Sequence, residues 1–159
     1  MTIDDMRAAD WPAVARIYEE GLDLGTFEET VPDWPEWNQA HRPAPRLVAR
    51  EHADIVGWAA LAPVSRRDCY SGVAENSVYV ARAARGRGVG KALLEELCRR
   101  ADGAGIWTIQ AGILAGNDAS IALHEACGFH IVGTRERIAK KRGEWRDVVL
   151  MERRSAVVA

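Results

Sequence analysis

The stretch Glu75-Asn76-Ser77-Val78-Tyr79-Val80, followed four residues later by Arg85-Gly86-Arg87-Gly88-Val89-Gly90-Lys91, decides how this chain folds. An acidic residue begins an apolar strand, and a glycine-rich turn then leads into a helical pattern. Glycines in such a turn leave backbone N–H groups open, and the start of a helix carries a partial positive charge. The segment therefore predicts a carboxylate and an anion-binding turn on neighbouring pieces of backbone.

The glycine spacing distinguishes between several known phosphate-binding motifs. A dinucleotide-binding turn would need a third glycine where Lys91 stands. A nucleotide-hydrolase loop would need glycine in place of Arg85, and serine or threonine in place of Ala92. The pattern that remains is Arg-x-x-Gly-x-Gly. Taken alone, these residues are equally consistent with a basic helix-capping turn that binds no ligand.

Composition gives broad limits. The chain has 159 residues, 48% apolar and 28% charged, which predicts one globular domain over residues 1–159. A net charge of −2 gives no general attraction to nucleic acid or to anionic membranes. No apolar run approaches the roughly 18 residues that would span a bilayer, and the first residues lack a signal-peptide pattern. Cys69, Cys98 and Cys127 are odd in number and widely spaced, so we expect reduced thiols and a cytoplasmic protein.

Apolar periodicity predicts a mixed sheet with helices on its faces. The expected strands are 3–7, 46–50, 55–61, 74–80, 106–111, 129–134 and 145–151. The expected helices are 34–40, 89–101 and 120–126, together with one that begins after an Asp10 cap and loosens at Gly21 and Gly25.

A second group of polar residues follows the sheet's fifth strand. Asn117 or Asp118 is expected to cap a helix that carries Ser120 and His124 one turn apart. No nucleophile elbow accompanies that pair, so a Ser-His hydrolase is not favoured.

The spacing of His124, Cys127 and His130 resembles metal-ligand pairs. However, Gly128 separates His130 from the helix, and a structural zinc site would need a fourth ligand. We therefore predict no metal.

In this order, the segments resemble the GCN5-related N-acetyltransferase (GNAT) superfamily, and in particular its phosphinothricin and methionine sulfoximine acetyltransferase branch. The likeness lies in Thr26-Phe27-Glu28, Arg67-x-x-Tyr70, Glu75 to Val80, Arg85 to Gly90, Asn117, Ala119 to Glu125, Gly128-Phe129 and Trp145 to Val148. It implies an α+β GNAT fold with a mixed sheet of about six to seven strands flanked by helices on both faces. It also implies a homodimeric acetyl-CoA-dependent enzyme that acetylates the α-amino group of small amino-acid analogues by direct transfer in a ternary complex.

The resemblance further implies residue roles. Acetyl-CoA would be held by Val78, Tyr79, Val80, Arg85, Gly86, Arg87, Gly88, Val89, Gly90, Lys91, Asn117 and Ser120. Glu75 would remove the amine proton, and His124 would protonate the departing thiolate. The substrate would meet Phe27, Glu28, Arg67 and Tyr70, with the Arg67 guanidinium suited to a carboxylate or phosphinate.

Each of these roles has an ordinary structural alternative: a solvated carboxylate, a hydrogen-bonded helical histidine, a surface arginine and a packed aromatic ring. Two other functions also stay open, acetylation of a protein N-terminus or another amine, and a non-catalytic module that binds acyl-CoA.

Overall fold

One seven-stranded sheet organises the computed structural model, which describes residues 1–23 and 26–159. The strands are β1 (Thr2–Asp5), β2 (Arg46–Glu51), β3 (Asp54–Pro63), β4 (Val73–Val80), β5 (Thr108–Leu114), β6 (His130–Lys141) and β7 (Glu144–Arg154). The helices are α1 (Trp11–Gly21), α2 (Trp34–Ala40), α3 (Val89–Gly103) and α4 (Asp118–Ala126). The sheet order is β1-β2-β3-β4-β5-β7-β6, in which β4 and β5 are parallel and the other neighbours antiparallel. The predicted mixed sheet of six to seven strands is confirmed.

Helices α1 and α2 cover one face of the sheet through an aromatic cluster. The α2 bounds agree with the prediction, because Asp33 caps the helix through Oδ1, which accepts from the N–H of Glu36 at 3.0 Å. Trp37 of α2 and Trp58 of β3 are fully buried and meet edge to face at 5.6 Å. These rings form the core of this face.

The start of α1 differs in detail from the prediction. Asp10 occupies the N-cap position, but its side chain makes no capping hydrogen bond. Its carboxylate instead accepts from the N–H of Arg7 at 2.8 Å and pairs with Arg50 at 3.0 Å. The backbone of Asp10 is already helical, and the carboxylate bonds to groups outside the first turn. Gly21 is the last residue of α1, and Gly25 lies outside the described residues.

Helices α3 and α4 cover the other face. The α3 side chains Leu93, Leu94 and Leu97 are fully buried against the strands. Ile121 and Leu123 of α4 pack against the same cluster. Helices on both faces were predicted and are confirmed. Within the described residues, no helix combines the length and the apolar character needed to cross a membrane.

The last two strands are longer than the apolar pattern predicted. β6 continues from the expected end at Thr134 to Lys141, through a segment rich in charged residues. It pairs there with β7, and Arg142 and Gly143 make the connecting turn with φ of 51° and 79°. Cross-strand pairing therefore extends a strand that has no amphipathic alternation of its own. Strand β5 is also displaced, from the predicted 106–111 to Thr108–Leu114.

The parallel pair β4 and β5 forms a fork. Its ladder joins only Val73–Glu75 to Thr108–Gln110, although both strands continue beyond it. Successive side chains on β4 point to opposite faces. Tyr79 accordingly packs with the α1 cluster, while Val78 and Val80 pack with the α3 cluster.

Candidate active site

A cleft of about 670 Å³ opens where β4 and β5 diverge. Most of the predicted site residues line it: Phe27, Glu28, Glu75, Val78, Tyr79, Val80, Arg85, Gly86, Gly88, Val89, Gly90, Lys91, Asn117, Ser120 and His124. Arg67, Tyr70 and Arg87 are not among its lining residues. The fold therefore brings predicted residues from four separate segments of the chain to one opening.

The glycine-rich turn forms one end of this cleft. Gly86 and Gly88 have φ of 76° and 83°, and α3 begins at Val89. A Cβ at Gly88 would meet no atom within 4 Å, so the backbone conformation rather than lack of space calls for glycine. The first N–H groups of a helix have no intrahelical partner and lie at its positive end. This end of the cleft is suited to an anion such as a pyrophosphate.

The two arginines of the turn have different surroundings. Arg85 donates from Nε to the carbonyl of Val80 at 3.2 Å and from Nη2 to the carbonyl of Glu20 at 3.4 Å. It therefore ties the end of β4 to the end of α1 while lining the cleft. Arg87 is exposed and forms an ion pair with Glu51 of β2 at 3.0 Å.

Glu75 lies at the apex of the fork. It is the last β4 residue paired with β5, opposite Gln110. Its Oε1 accepts from Nε2 of Gln110 at 3.3 Å, and its side chain is half-buried. The carboxylate therefore has a fixed direction and lines the cleft, as a proton acceptor for a bound amine would require.

His124 is buried in the α4 wall of the cleft. Its Nδ1 donates to the carbonyl of Ser120 at 2.7 Å, because a carbonyl can only accept. Its Nε2 then accepts from Nδ2 of Asn76 at 3.0 Å, so the ring is the neutral Nδ1–H tautomer. Burial lowers the pKa of His124, and the Ser120 bond opposes that effect. At the start of the same helix, Oδ1 of Asn117 caps α4 by accepting from the N–H of Ser120 at 3.3 Å, as predicted.

The segment Thr26 to Glu28 also lines the cleft. Oγ1 of Thr26 lies 2.5 Å from the hydroxyl of Tyr79, which joins the segment to β4. Lys141 donates from Nζ to the carbonyls of Leu22 and Thr26 at 2.8 and 2.7 Å. The tip of the β6–β7 hairpin therefore holds this segment in place.

Arg67 and Tyr70 lie between β3 and β4 and are not among the residues that line the cleft. Arg67 precedes a short 3-10 turn, Asp68–Tyr70, and is exposed. Tyr70 is 47% exposed. Their predicted contact with substrate stays a prediction.

Sequence reasoning gave no role to several residues of the cleft. Asn76 and Thr26 stand out in the sequence only as parts of motifs. Gln110, which does not line the cleft but bonds to Glu75, gives no signal. Gly112 carried one, since a glycine inside a strand often marks a close approach. A Cβ there would lie 3.4 Å from the ring of Phe27. Among the described residues, no cluster of three or more His, Cys, Asp and Glu side chains could hold a metal ion.

A model of the acetyltransferase (GNAT) family matches residues 11–129. The chain belongs to the GNAT acetyltransferase family. The match contains the divergent strand pair, the glycine-rich turn and helix α4, so this GNAT protein carries the family's features in the cleft just described. It is an N-acetyltransferase.

Named relatives extend the likeness over nearly the whole chain. Phosphinothricin N-acetyltransferase of Alcaligenes faecalis is 36% identical, over 96% of this chain and 81% of that protein. The L-methionine sulfoximine/L-methionine sulfone acetyltransferase of Pseudomonas aeruginosa is 34% identical, over 95% of this chain and 92% of that protein.

Solved structures share the fold. Ribosomal-protein-alanine N-acetyltransferase from Brucella melitensis superposes with a TM-score of 0.89 at 34% identity, over 98% of this chain and 100% of that one. A phosphinothricin acetyltransferase from Sinorhizobium meliloti, solved in complex with AcCoA, gives 0.86 at 33% identity, over 96% and 87%. The GNAT fold inferred from the resemblance is confirmed.

Proposed function

We propose that this protein transfers the acetyl group of acetyl-CoA to the α-amino group of a small amino-acid-like amine, of the phosphinothricin or methionine sulfoximine type. The observation that carries the proposal is the fork between β4 and β5. Glu75 at that fork lines the same cleft as the glycine-rich turn and the Thr26–Glu28 segment, which supports its role as the proton acceptor. The names of the relatives indicate the class of acceptor.

The residues at the turn fit the acetyl donor. The N–H groups at the start of α3 would hold the pyrophosphate of CoA, with Lys91 adding charge. Beyond Glu75 the β4 edge is not paired with β5, so Val78 and Val80 would offer backbone groups to the pantetheine arm. Asn117 and Ser120 of the α4 segment also line the cleft and would contact the donor near its thioester. The donor supplies an activated acetyl group.

The chemical step requires a neutral amine. Glu75 would take the proton of the bound ammonium group, and the amine nitrogen would then attack the thioester carbonyl directly in the ternary complex. The C–S bond breaks as the C–N bond forms, and the leaving thiolate takes up a proton. His124 would supply that proton only after its own Nε2 has been protonated, because the neutral ring carries its hydrogen on Nδ1.

Acetylation of a protein N-terminus is a second candidate. It is favoured by the likeness to ribosomal-protein-alanine N-acetyltransferase and by the exposure of Phe27 and Glu28 at the cleft mouth. A cleft open at this end would admit a peptide.

We also propose a cytoplasmic homodimer. All three cysteines, which lie in the described part of the chain, are free thiols, as the cytosol favours. Ile131, Val132 and Ile138 of β6 and Trp145 of β7 are exposed apolar side chains that a second copy would cover. Light scattering would give the mass in solution, and a monomer across micromolar concentrations would exclude the dimer.

The deciding assay measures free CoA thiol after purified protein meets acetyl-CoA and an amine. Methionine sulfoximine, phosphinothricin and an alanine-initiated peptide serve as acceptors. We expect thiol release with the small analogues, and release with the peptide alone would favour the second candidate.

Glu75→Gln should lower kcat/KM by on the order of 100-fold, since a general base contributes that much. Glu125→Gln, on the exposed side of α4, is the matched control, and equal activity of the two variants would remove Glu75 as the base.

A further inference from the structure

The side-chain amide of Asn76 forms a hydrogen bond with Nε2 of His124. Asn76 is the first β4 residue beyond the ladder with β5, so it lies at the fork. By strand alternation its side chain points to the α3 and α4 face, opposite to that of Glu75. There its Nδ2 donates to Nε2 of His124 at 3.0 Å.

His124 is held at both nitrogens. On the other side of the ring, Nδ1 donates to the carbonyl of Ser120 at 2.7 Å. The ring of Phe129 packs edge-on against it at 5.0 Å. With Nδ1 as a fixed donor, Nε2 is the nitrogen whose proton can change.

The amide itself has an unused acceptor. Oδ1 of Asn76 is buried and has no hydrogen-bond partner among the residues that the structure describes. Rotating the amide by half a turn would exchange Oδ1 and Nδ2. Oδ1 would then accept from an Nε2–H group, so one asparagine can match either protonation state of the ring.

We propose that Asn76 is a positioning residue that sets the protonation state of His124, with Nδ2 facing the neutral ring and Oδ1 facing the protonated one. The proposal rests on the proposed function only in giving His124 a proton to deliver. Proton uptake at Nε2 is coupled to rotation of the amide. His124 therefore stays neutral at rest and holds a transferable proton only in the rotated arrangement.

The charged groups near the His124 ring do not take the place of Asn76 in setting its protonation state. Glu75 on β4 and Lys91 on α3 line the same cleft, with Glu75 bonded to Gln110. The lowered pKa of His124 has burial as its largest cause, followed by the opposing Ser120 bond. Asn76 is thus the polar side chain in direct contact with the titrating nitrogen.

His41 provides a matched control within the same protein. Its Nδ1 also donates to the carbonyl four residues earlier, that of Trp37, at 2.8 Å. His41 is half-buried where His124 is buried, and burial lowers its pKa as well. Among the described residues, no amide side chain donates to its Nε2. The two histidines therefore differ in whether an amide side chain donates to Nε2.

The test is nitrogen NMR of the labelled wild-type protein. At a pH where His124 is neutral, we expect an unprotonated Nε2 and a coupling to Asn76 Nδ2 across the hydrogen bond. That coupling should vanish as the ring protonates, while His41 shows none at any pH. An Nε2–H tautomer in the neutral ring, or persistence of the coupling in the imidazolium form, would overturn the proposal without any variant.

Asn76→Asp gives an independent measurement. A carboxylate facing Nε2 should raise the pKa of His124 by about one pH unit or more and leave that of His41 in place. Asn38→Asp, the same amide-to-carboxylate exchange on the exposed side of α2, should leave the pKa of His124 in place. An unchanged His124 titration in folded Asn76→Asp contradicts the proposal. These readouts need no turnover, so failure of every amine in the thiol assay would overturn the proposed function separately.

Discussion

The hydroxyl of Tyr79 lies 2.5 Å from Oγ1 of Thr26, although 53 residues separate them. Tyr79 also stacks on Trp58 at 4.9 Å and on Tyr18 at 4.8 Å, so its ring is fixed by the core of the α1 face. Burial raises the pKa of Tyr79, so its phenol stays protonated at neutral pH. A rigid side chain of β4 therefore holds the Thr26–Glu28 segment at the cleft.

Tyr79→Phe and Thr26→Val should each raise the KM for the amine by about five-fold, because one hydrogen bond contributes roughly 1 kcal/mol. Both variants keep the shape of the side chain. The double variant should be no worse than Tyr79→Phe alone, since that change removes the bond to Thr26 together with the one to Tyr18. Steady-state kinetics at saturating acetyl-CoA measure this effect. Multiplying effects in the double variant would show that the two side chains act separately.

Lys141→Met should destabilise the protein by about 1–3 kcal/mol and raise the KM for the amine. It leaves two carbonyls without their charged donor, and the Thr26–Glu28 segment loses its anchor on the hairpin. Chemical unfolding and kinetics give both quantities. Lys140→Met is the control, because the exposed Lys140 only lies over the Trp145 ring, a contact of about 0.5 kcal/mol. Equal effects of the two variants would refute an anchoring role for Lys141.

Gly88→Ala should destabilise the protein by about 1–2 kcal/mol and weaken CoA binding, since alanine is strained at φ of 83°. Gly103→Ala is a control with equally open space around the new Cβ but an ordinary helical backbone. It should stabilise α3 by up to about 1 kcal/mol. Urea unfolding and CoA titration would separate the two variants. Tolerance of alanine at both positions would argue against a required left-handed residue in the turn.

Asp102→Asn should lower the free energy of unfolding most at neutral pH. Arg153 donates to both oxygens of Asp102 at 2.9 and 3.0 Å, and these bonds hold the pKa of that carboxyl below its usual value. A lowered folded-state pKa adds stability above about pH 4, and this is lost as the pH falls through the folded value. The variant should therefore lose about 2 kcal/mol at pH 7 and progressively less on acidification.

Urea unfolding of both proteins at pH 7 and pH 3 tests this dependence. Asp23→Asn, which removes an exposed pair with Arg142, should have no measurable effect at either pH. A deficit of Asp102→Asn that is constant with pH would show that the ion pair is not its source.

The sequence was sufficient to predict an element where the cause of that element lies within a few residues of it. Asp33 caps α2, so that helix has the predicted bounds, and the apolar stripe of α3 places it on the sheet. These two helices depend on residues within a few positions of one another. The GNAT fold and most of the cleft lining were implied by the resemblance that the ordered motifs carry.

Only the tertiary structure determined the contacts between residues that are far apart in the chain. The Glu75–Gln110 bond where β4 and β5 diverge, the Asn76–His124 bond and the bond from Lys141 to Leu22 join residues 35 to 119 positions apart. Arg67 and Tyr70 carried a family motif, yet neither is among the residues that line the cleft. Sequence by itself determined the backbone that can bind an anion and the carboxylate beside it. Which side chains meet there follows from strand pairing and core packing, which no single segment specifies.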